Sequence, residues 1–191
     1  MAGYDKTDLE RACQVMRDGG VILYPTDTVW GIGCDASCEE AVKRIFQIKK
    51  RSDSKSMLVL VDSESKLKYY VEDVPDLAYD MIEMSEKPLT IIYDGARRLA
   101  PQLIAEDGSV GIRVTREAFS RDLCARMRGA VVSTSANISG QPSAAFYAEI
   151  SREIIDAVDY VVEYRRDDNT KAKPSGIVKL GAGGLVKVIR E

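Results

Sequence analysis

The segment from residue 24 to residue 55, together with the strand that leads into it, constrains the fold more than any other part of the chain. A strand-like apolar run over residues 21–24 ends at Pro25, which cannot donate a hydrogen bond to a sheet ladder. Hydroxyl and carboxylate side chains follow on residues 26–28, the place where an open sheet puts its ligand-binding groups. An amphipathic helix pattern comes next, and four cations follow it within seven residues. The segment therefore predicts a strand, a polar turn and a helix that ends in a cluster of cations.

Along the rest of the chain, short apolar runs alternate irregularly with amphipathic segments. Residues 109–114 alternate in a way that places Ser109, Gly111 and Arg113 on one face of a strand. The glycine-rich residues 181–184 predict the turn of a C-terminal hairpin. About seven or eight strands and five helices are predicted, which indicates a single domain over residues 1–191, of α/β to α+β class, with a mixed sheet.

Composition excludes several classes of function. The chain of 191 residues has no histidine, so Ser-His-Asp and Cys-His nucleophiles and imidazole-ligated zinc sites cannot be built. The four scattered cysteines are expected to be reduced thiols in the cytoplasm. A net charge of −3 gives no general reason to bind nucleic acid or a membrane. Chemistry must therefore rest on lysine, arginine, hydroxyls, carboxylates and a metal that arrives with the substrate.

Two groups of polar residues are candidates for a ligand site. Lys49, Arg51 and Lys55 can surround phosphate groups, although a run of cations is more often only a solvated helix end. Residues 133–140 carry hydroxyl and amide groups directly after a strand, which fits either a ligand site or ordinary turn chemistry. Arg113 can grip the α-carboxylate of an amino acid or pair with an acid on the surface.

The order and spacing of these motifs resemble a known family. The run YPTDTVWGIGCDA, the cations Lys49-x-Arg51 and Lys55, and the triplet at residues 135–137 resemble the YrdC/Sua5 family of threonylcarbamoyl-AMP synthases, along roughly residues 15–190. The chain has Asp27 where the family usually has Glu, and Trp30 where it usually has Tyr. The resemblance implies a twisted open sheet of the YrdC/RibB-like type with flanking helices and one deep basic cleft.

The resemblance also implies an activity, that of an L-threonylcarbamoyladenylate synthase. Such an enzyme forms threonylcarbamoyl-AMP and pyrophosphate from L-threonine, bicarbonate and ATP, with Mg²⁺ accompanying ATP, for the modification of adenosine 37 in tRNA. Further implied partners are tRNA and the downstream threonylcarbamoyl-transfer proteins, with no membrane. Matching residue by residue implies Lys49 and Arg51 as catalytic, Lys55, Ser109, Ser135, Asn137, Ser143 and Arg190 as ATP-contacting, and Thr28, Arg113, Ser133 and Ser175 as threonine-contacting, with no metal ligand.

Two other functions stay open at this point. The same fold occurs as the carbamoyl-adenylate domain of the hydrogenase-maturation carbamoyltransferase, but the zinc-finger and acylphosphatase-like parts of that protein are absent here. The chain could also be a non-catalytic module that binds tRNA or double-stranded RNA. A pI of 5.3 and the lack of an interleaved aromatic and basic stripe argue against that module. The extra C-terminal domain of longer Sua5 forms is also missing, so the short form is expected.

Overall fold

The structure, a computed structural model, describes residues 3–51, 57–181 and 185–191. The described residues form six helices, and these are α1 (Lys6–Arg17), α2 (Glu39–Ile48), α3 (Leu67–Tyr70), α4 (Asp76–Met84), α5 (Ala118–Met127) and α6 (Arg152–Ala157). They also form nine strands, namely β1 (Ile22–Tyr24), β2 (Gly31–Gly33), β3 (Leu58–Val61), β4 (Leu89–Tyr93), β5 (Val110–Val114), β6 (Val131–Ser135), β7 (Tyr160–Val161), β8 (Gly176–Leu180) and β9 (Val186–Arg190). Among these residues, no helix combines the length and apolar character needed to cross a membrane.

The nine strands form one sheet in the order β7-β1-β2-β6-β3-β5-β4-β8-β9. The pairs β1–β7, β3–β5 and β4–β8 are parallel, and the other neighbours are antiparallel. The sheet is open, with β7 and β9 at its two edges. The predicted mixed sheet with flanking helices is confirmed, and so is the C-terminal hairpin, since β8 pairs antiparallel with β9. Residues 182–184 of its turn lie outside the described residues.

The two faces of the sheet are covered differently. Val59 and Val61 of β3 belong to a large apolar core that packs against α2, α3 and α4. Leu60 points to the opposite face, where a smaller core packs against α1 and α5. Val131 of β6 lies in that smaller core, whereas Ser133, two residues further along the same face, does not. The helices α1 and α5 therefore cover only part of their face and leave its polar positions open.

Strand β2 was not predicted, because its sequence is Gly31-Ile32-Gly33 and glycine weakens strands. The structure gives the reason for these glycines. A Cβ atom on Gly33 would lie 2.5 Å from the carbonyl oxygen of Val132 and 2.6 Å from Cε1 of Tyr24. Only a residue without a side chain lets β2 pair with β6 while the Tyr24 ring packs over it.

Two helix predictions are wrong in detail. The sequence Ser37-Cys38-Glu39-Glu40 predicts a capping box, but α2 has Cys38 as its N-cap and no side-chain capping bond. Ser37 instead donates its hydroxyl to Asp35, with 2.7 Å between Oγ and Oδ1. The sequence predicts one helix over residues 147–157, but a 3₁₀ turn at Tyr147–Glu149 precedes the shorter helix α6.

Candidate active site

A cavity of about 290 Å³ lies on the open part of the sheet face. This volume is near the lower end of the roughly 300–1,000 Å³ typical of small-molecule sites. Its lining includes side chains or glycines from the seven neighbouring strands β2, β6, β3, β5, β4, β8 and β9. Nine of the predicted site residues line it, and these are Thr28, Arg51, Ser109, Arg113, Ser133, Ser135, Ser143, Ser175 and Arg190. The structure therefore brings together most of the residues that the sequence singled out.

The floor of the cavity follows the alternation of β5. Ser109, Gly111 and Arg113 all line the cavity, so the predicted shared face is confirmed. A Cβ atom on Gly111 would lie 3.4 Å from Cγ2 of Thr90 and 3.5 Å from Cβ of Leu58. Because Gly111 has no side chain, the floor of the cavity has room for a ligand between Ser109 and Arg113.

Arg113 is a buried cation, with only 3% of its surface exposed. Its Nη2 lies 3.0 Å from Oδ1 of Asp27 and donates to Oγ1 of Thr28 at 3.3 Å. Its Nε is buried and has no hydrogen-bond partner among the described residues. The alternative of a surface arginine that pairs with an acid is wrong about the surface, but the pairing with an acid is observed in the contact with Asp27. A guanidinium that is held from one side and keeps an unused donor is suited to bind a carboxylate.

The turn after β1 places Thr28 beside this arginine. The backbone N–H of Thr28 donates to Oγ1 of Thr26 at 3.0 Å, and the hydroxyl of Thr26 donates to the carbonyl of Val29 at 2.8 Å. Burial raises the pKa of Asp27, and the charge of Arg113 opposes this shift. Of the polar turn predicted at residues 26–28, Thr28 lines the cavity and Thr26 holds it in place.

Ser175 and Arg190 reach the cavity from the C-terminal hairpin. The carbonyl of Ser175 accepts from Nε of Arg190 at 2.9 Å. Val188 pairs with Val178, but Arg190 and not Ile189 pairs with Ile177, so β9 contains a one-residue bulge. Without this bulge, the alternation of β9 would put Arg190 on the same face as Val188. The bulge instead aligns it with Ile177, which also lines the cavity.

Lys49 does not line the cavity, and its predicted contact with phosphate stays a prediction. Helix α2 ends at Ile48, and only 1% of Lys49 is exposed. Its ammonium group donates to the carbonyl of Ser135 and, at 2.7 Å, to the carbonyl of Asn137. Burial, and to a lesser degree the charge of Arg51, lowers the pKa of Lys49 to about 8. In this arrangement Lys49 holds the loop after β6 in place.

Asn137 also turns away from the cavity. Its amide nitrogen donates to the carbonyls of Ile138 at 3.0 Å and Gln141 at 2.7 Å, so it acts as a turn former, the alternative that the sequence left open. Arg51 does line the cavity, and although burial lowers its pKa, an arginine stays charged near neutral pH. Lys55 lies outside the described residues, and its role stays a prediction.

Several lining residues were missed, above all Thr90. It is a buried polar residue in a strand of otherwise apolar character, Leu89–Tyr93, which is the one signal that could have marked it. Among the described residues that line the cavity, three are arginines and none is an aspartate or glutamate. The cavity is therefore basic, as the predicted cleft required.

The comparisons with known proteins agree with this geometry. A family model named Sua5/YciO/YrdC, described as telomere recombination, matches residues 14–191. The chain belongs to this family. A relative from Xanthomonas euvesicatoria, named threonylcarbamoyl-AMP synthase, is 32% identical over 186 residues, which are 96% of this chain and 98% of the relative. A relative of the same name from Pseudomonas aeruginosa is 34% identical over 152 residues, which are 79% of this chain and 82% of the relative.

A solved member of the family has the same fold. The crystal structure of P. abyssi Sua5 complexed with L-threonine matches with a TM-score of 0.84 and 21% identity, over 94% of this chain and 52% of that one. The chain thus spans about half the length of that protein. The likeness confirms the predicted fold, the twisted open sheet of the family.

Proposed function

We propose that this protein is an L-threonylcarbamoyladenylate synthase, a nucleotidyltransferase. The observation that carries the proposal is one basic cavity that joins two kinds of group. Buried Arg113 donates to the hydroxyl of Thr28, and Ser133 and Ser175 line the same cavity, so this set suits the carboxylate and hydroxyl of a small amino acid. Arg51 and Arg190 line the same cavity and suit the phosphates of a nucleotide. The relatives named threonylcarbamoyl-AMP synthase and the threonine complex of P. abyssi Sua5 support this assignment.

The proposed reaction needs no histidine as an acid or a base. The neutral amine of threonine combines with bicarbonate to give a carbamate and water. A carbamate oxygen attacks the α-phosphorus of ATP, the bond from this phosphorus to the bridging oxygen breaks, and pyrophosphate leaves with the electron pair. Catalysis consists of holding the two substrates in line and neutralising the charge that develops. The nucleophile is already an anion, so no side chain has to activate it.

Each residue has a task in this proposal. Arg113 and Thr28 hold the threonine carboxylate, and Ser133 and Ser175 supply hydroxyls beside it. Arg51 neutralises the charge on the transferred phosphoryl group, the electrostatic role that usually contributes most to catalysis. Lys49 fixes the end of β6, where Ser135 reaches the cavity, and the loop that follows it. Contacts to ATP are proposed for Lys55, Ser109, Ser135, Ser143 and Arg190.

Magnesium enters this proposal with ATP, because no carboxylate is present among the described residues that line the cavity. The described lining of the cavity has hydroxyl and guanidinium groups and lacks the carboxylates that Mg²⁺ prefers in proteins. The described residues also contain no cluster of three or more His, Cys, Asp or Glu side chains suited to a metal. These residues do not fit a resident magnesium ion, so phosphate oxygens of ATP are its proposed ligands.

The chemistry of the product indicates the proposed partners and location of the protein. Threonylcarbamoyl-AMP is an activated donor, and the reaction that consumes it transfers the threonylcarbamoyl group to adenosine 37 of tRNA. The proposed partners are therefore the proteins of that transfer and, through them, tRNA. A cytoplasmic location and action of residues 1–191 as a single domain belong to the same proposal.

The test is pyrophosphate release with each substrate omitted in turn. Release should require threonine, bicarbonate, ATP and Mg²⁺, because the nucleophile forms only from the first two. Equal rates with and without threonine would contradict the synthase and leave only a nucleotide-binding fold. Serine lacks one methyl group, so its kcat/KM should be lower by about 10–200-fold. Valine should be worse still, because it leaves hydroxyls of the site without a partner.

A further inference from the structure

We infer that Thr90 is a positioning residue that aims the hydroxyl of Ser175 at the amino-acid substrate. The inference rests on the proposed function, in which Ser175 contacts threonine. Thr90 itself was assigned no role, although it lines the cavity and only 2% of its surface is exposed. Thr90 is not needed for apolar packing of the sheet, since a valine would fill the same space. Its hydroxyl therefore requires another explanation.

The register of the sheet puts Thr90 at the end of the cavity where Arg113 lies. Ile91 of β4 pairs with Ile112 of β5, so the preceding residue, Thr90, lies beside Arg113 on the same face. Cγ2 of Thr90 lies 3.4 Å from the position that a Cβ atom on Gly111 would take. Thr90 therefore faces the part of the cavity proposed for the amino acid.

The hydroxyls of Thr90 and Ser175 form one hydrogen bond, with 2.9 Å between Oγ1 and Oγ. Both side chains are buried, and within the described part of the chain neither hydroxyl makes another hydrogen bond. A hydroxyl has a single hydrogen to donate. When Thr90 donates to Ser175, the hydrogen of Ser175 is available for an acceptor in the cavity, so Thr90 determines how Ser175 presents its hydroxyl.

The backbone of Ser175 does not depend on Thr90. Arg190 donates to the carbonyl of Ser175 at 2.9 Å, and the N–H of Gly176 donates to the carbonyl of Pro88 at 3.1 Å. Loss of the Thr90 hydroxyl should therefore leave this segment in place and free only the rotation of the Ser175 side chain. The effect on substrate binding can then be separated from an effect on the fold.

The experiment measures pyrophosphate release by Thr90→Val, Thr90→Ser, Ser175→Ala and the double variant Thr90→Val/Ser175→Ala. Valine keeps the shape of threonine and favours strands, so the variant should fold. Its KM for threonine should rise roughly 5- to 10-fold, the effect of one misdirected hydrogen bond, while the KM for ATP stays unchanged. Thr90→Ser keeps the hydroxyl, so its KM for threonine should lie within about twofold of the wild-type value. The double variant should be no worse than Ser175→Ala, because residues that act through one another are not additive.

Ser63→Ala is the control. The hydroxyl of Ser63 forms a pair with that of Ser65, with 2.9 Å between the oxygens, and neither residue lines the cavity. This control should keep both KM values. An unchanged KM for threonine in Thr90→Val, or effects of Thr90→Val and Ser175→Ala that multiply in the double variant, would overturn the inference. If Thr90→Val does not fold, Thr90→Ala gives the same comparison. A wild type that needs no threonine would instead overturn the proposed function itself.

Discussion

Lys49 and Arg51 are two residues apart, yet they lie in different environments. The sequence treats them alike, as cations at a helix end. The structure buries Lys49 under the carbonyls of Ser135 and Asn137 and leaves Arg51 on the lining of the cavity. The difference arises from the end of α2, where Lys50 adopts a left-handed conformation with φ of 49° and the chain changes direction.

This difference predicts two distinct phenotypes. Arg51→Ala should lower kcat by about 10²–10³, the usual loss for an electrostatic group. Lys49→Ala should lower activity as well, and it should also leave the carbonyl of Asn137 without its donor, whereas the carbonyl of Ser135 still accepts from the N–H of Asn137 at 2.9 Å. Such a loss costs about 1–3 kcal/mol, or roughly 3–10 °C in Tm for a protein of this size. Thermal unfolding and pyrophosphate release of the same samples measure both effects.

Arg152→Ala is the control for this pair. Arg152 is an exposed arginine that pairs with Asp156 on the surface, so its loss should change neither Tm nor activity. Equal Tm values for Lys49→Ala and the wild type would show that Lys49 does not hold the loop. Normal pyrophosphate release by folded Arg51→Ala would remove Arg51 from the proposed mechanism.

At the scale of single residues, the alternation of side chains along a strand predicted best which site residues share a face. Ser109 and Arg113 lie where period-two spacing put them, because a strand has only two faces. Asn137 could not be placed in this way, since a loop residue can turn its amide to a ligand or to its own backbone. Thr90 gave no motif at all. Its role depends on Ser175, which lies 85 positions away in the chain.

Strand β2 shows that a strand can form where the sequence pattern does not predict one. Eight of the strands carry apolar or alternating runs that predict them, whereas β2 consists of two glycines around Ile32. It fits between β1 and β6 because its two glycines have no side chains. The bulge in β9 is likewise invisible in the sequence, because the residues around it have ordinary strand character.

The tight packing of β2 predicts a large effect of one added methyl group. Gly33→Ala should force β2 away from the carbonyl of Val132, 2.5 Å from the new Cβ, and from the ring of Tyr24. Overpacking of this kind costs about 1–3 kcal/mol, which should lower Tm by roughly 3–10 °C. Thermal unfolding followed by circular dichroism measures the change.

Gly176→Ala is the matched control in another strand. A Cβ atom there would lie 3.7 Å from its nearest neighbours, the carbonyl oxygen of Arg190 and Cδ1 of Leu89, which is ordinary contact. This variant should keep Tm within about 2 °C or raise it slightly, because alanine has less freedom in the unfolded chain. Similar Tm losses in both variants would show that glycine flexibility, and not the contact with Val132, matters in β2.

At the scale of the whole molecule, one sheet face carries both the smaller core and the cavity. The helices α1 and α5 pack over part of this face. The seven strands that lie between β2 and β9 in the order of the sheet, including these two, line the cavity on the rest of it. The general architecture followed from the sequence because apolar runs mark strands and helices independently of their partners. The order of the strands could not be read from those runs, since it depends on contacts between distant parts of the chain.

The distribution of charge over the molecule predicts weak binding of tRNA. The net charge is −3, and several surface cations already face acids, as in the pairs Lys50–Glu153, Arg126–Glu10 and Lys179–Asp107. A protein that neutralises six to ten phosphates loses affinity with a slope of about −5 to −9 in log K against log salt. This chain should give a slope of about −2 or shallower. Filter binding of tRNA between 50 and 200 mM salt measures it, with pyrophosphate release followed in the same buffers. A steep slope together with no threonine-dependent release would favour the RNA-binding module, because it would show phosphate contacts and no adenylate chemistry.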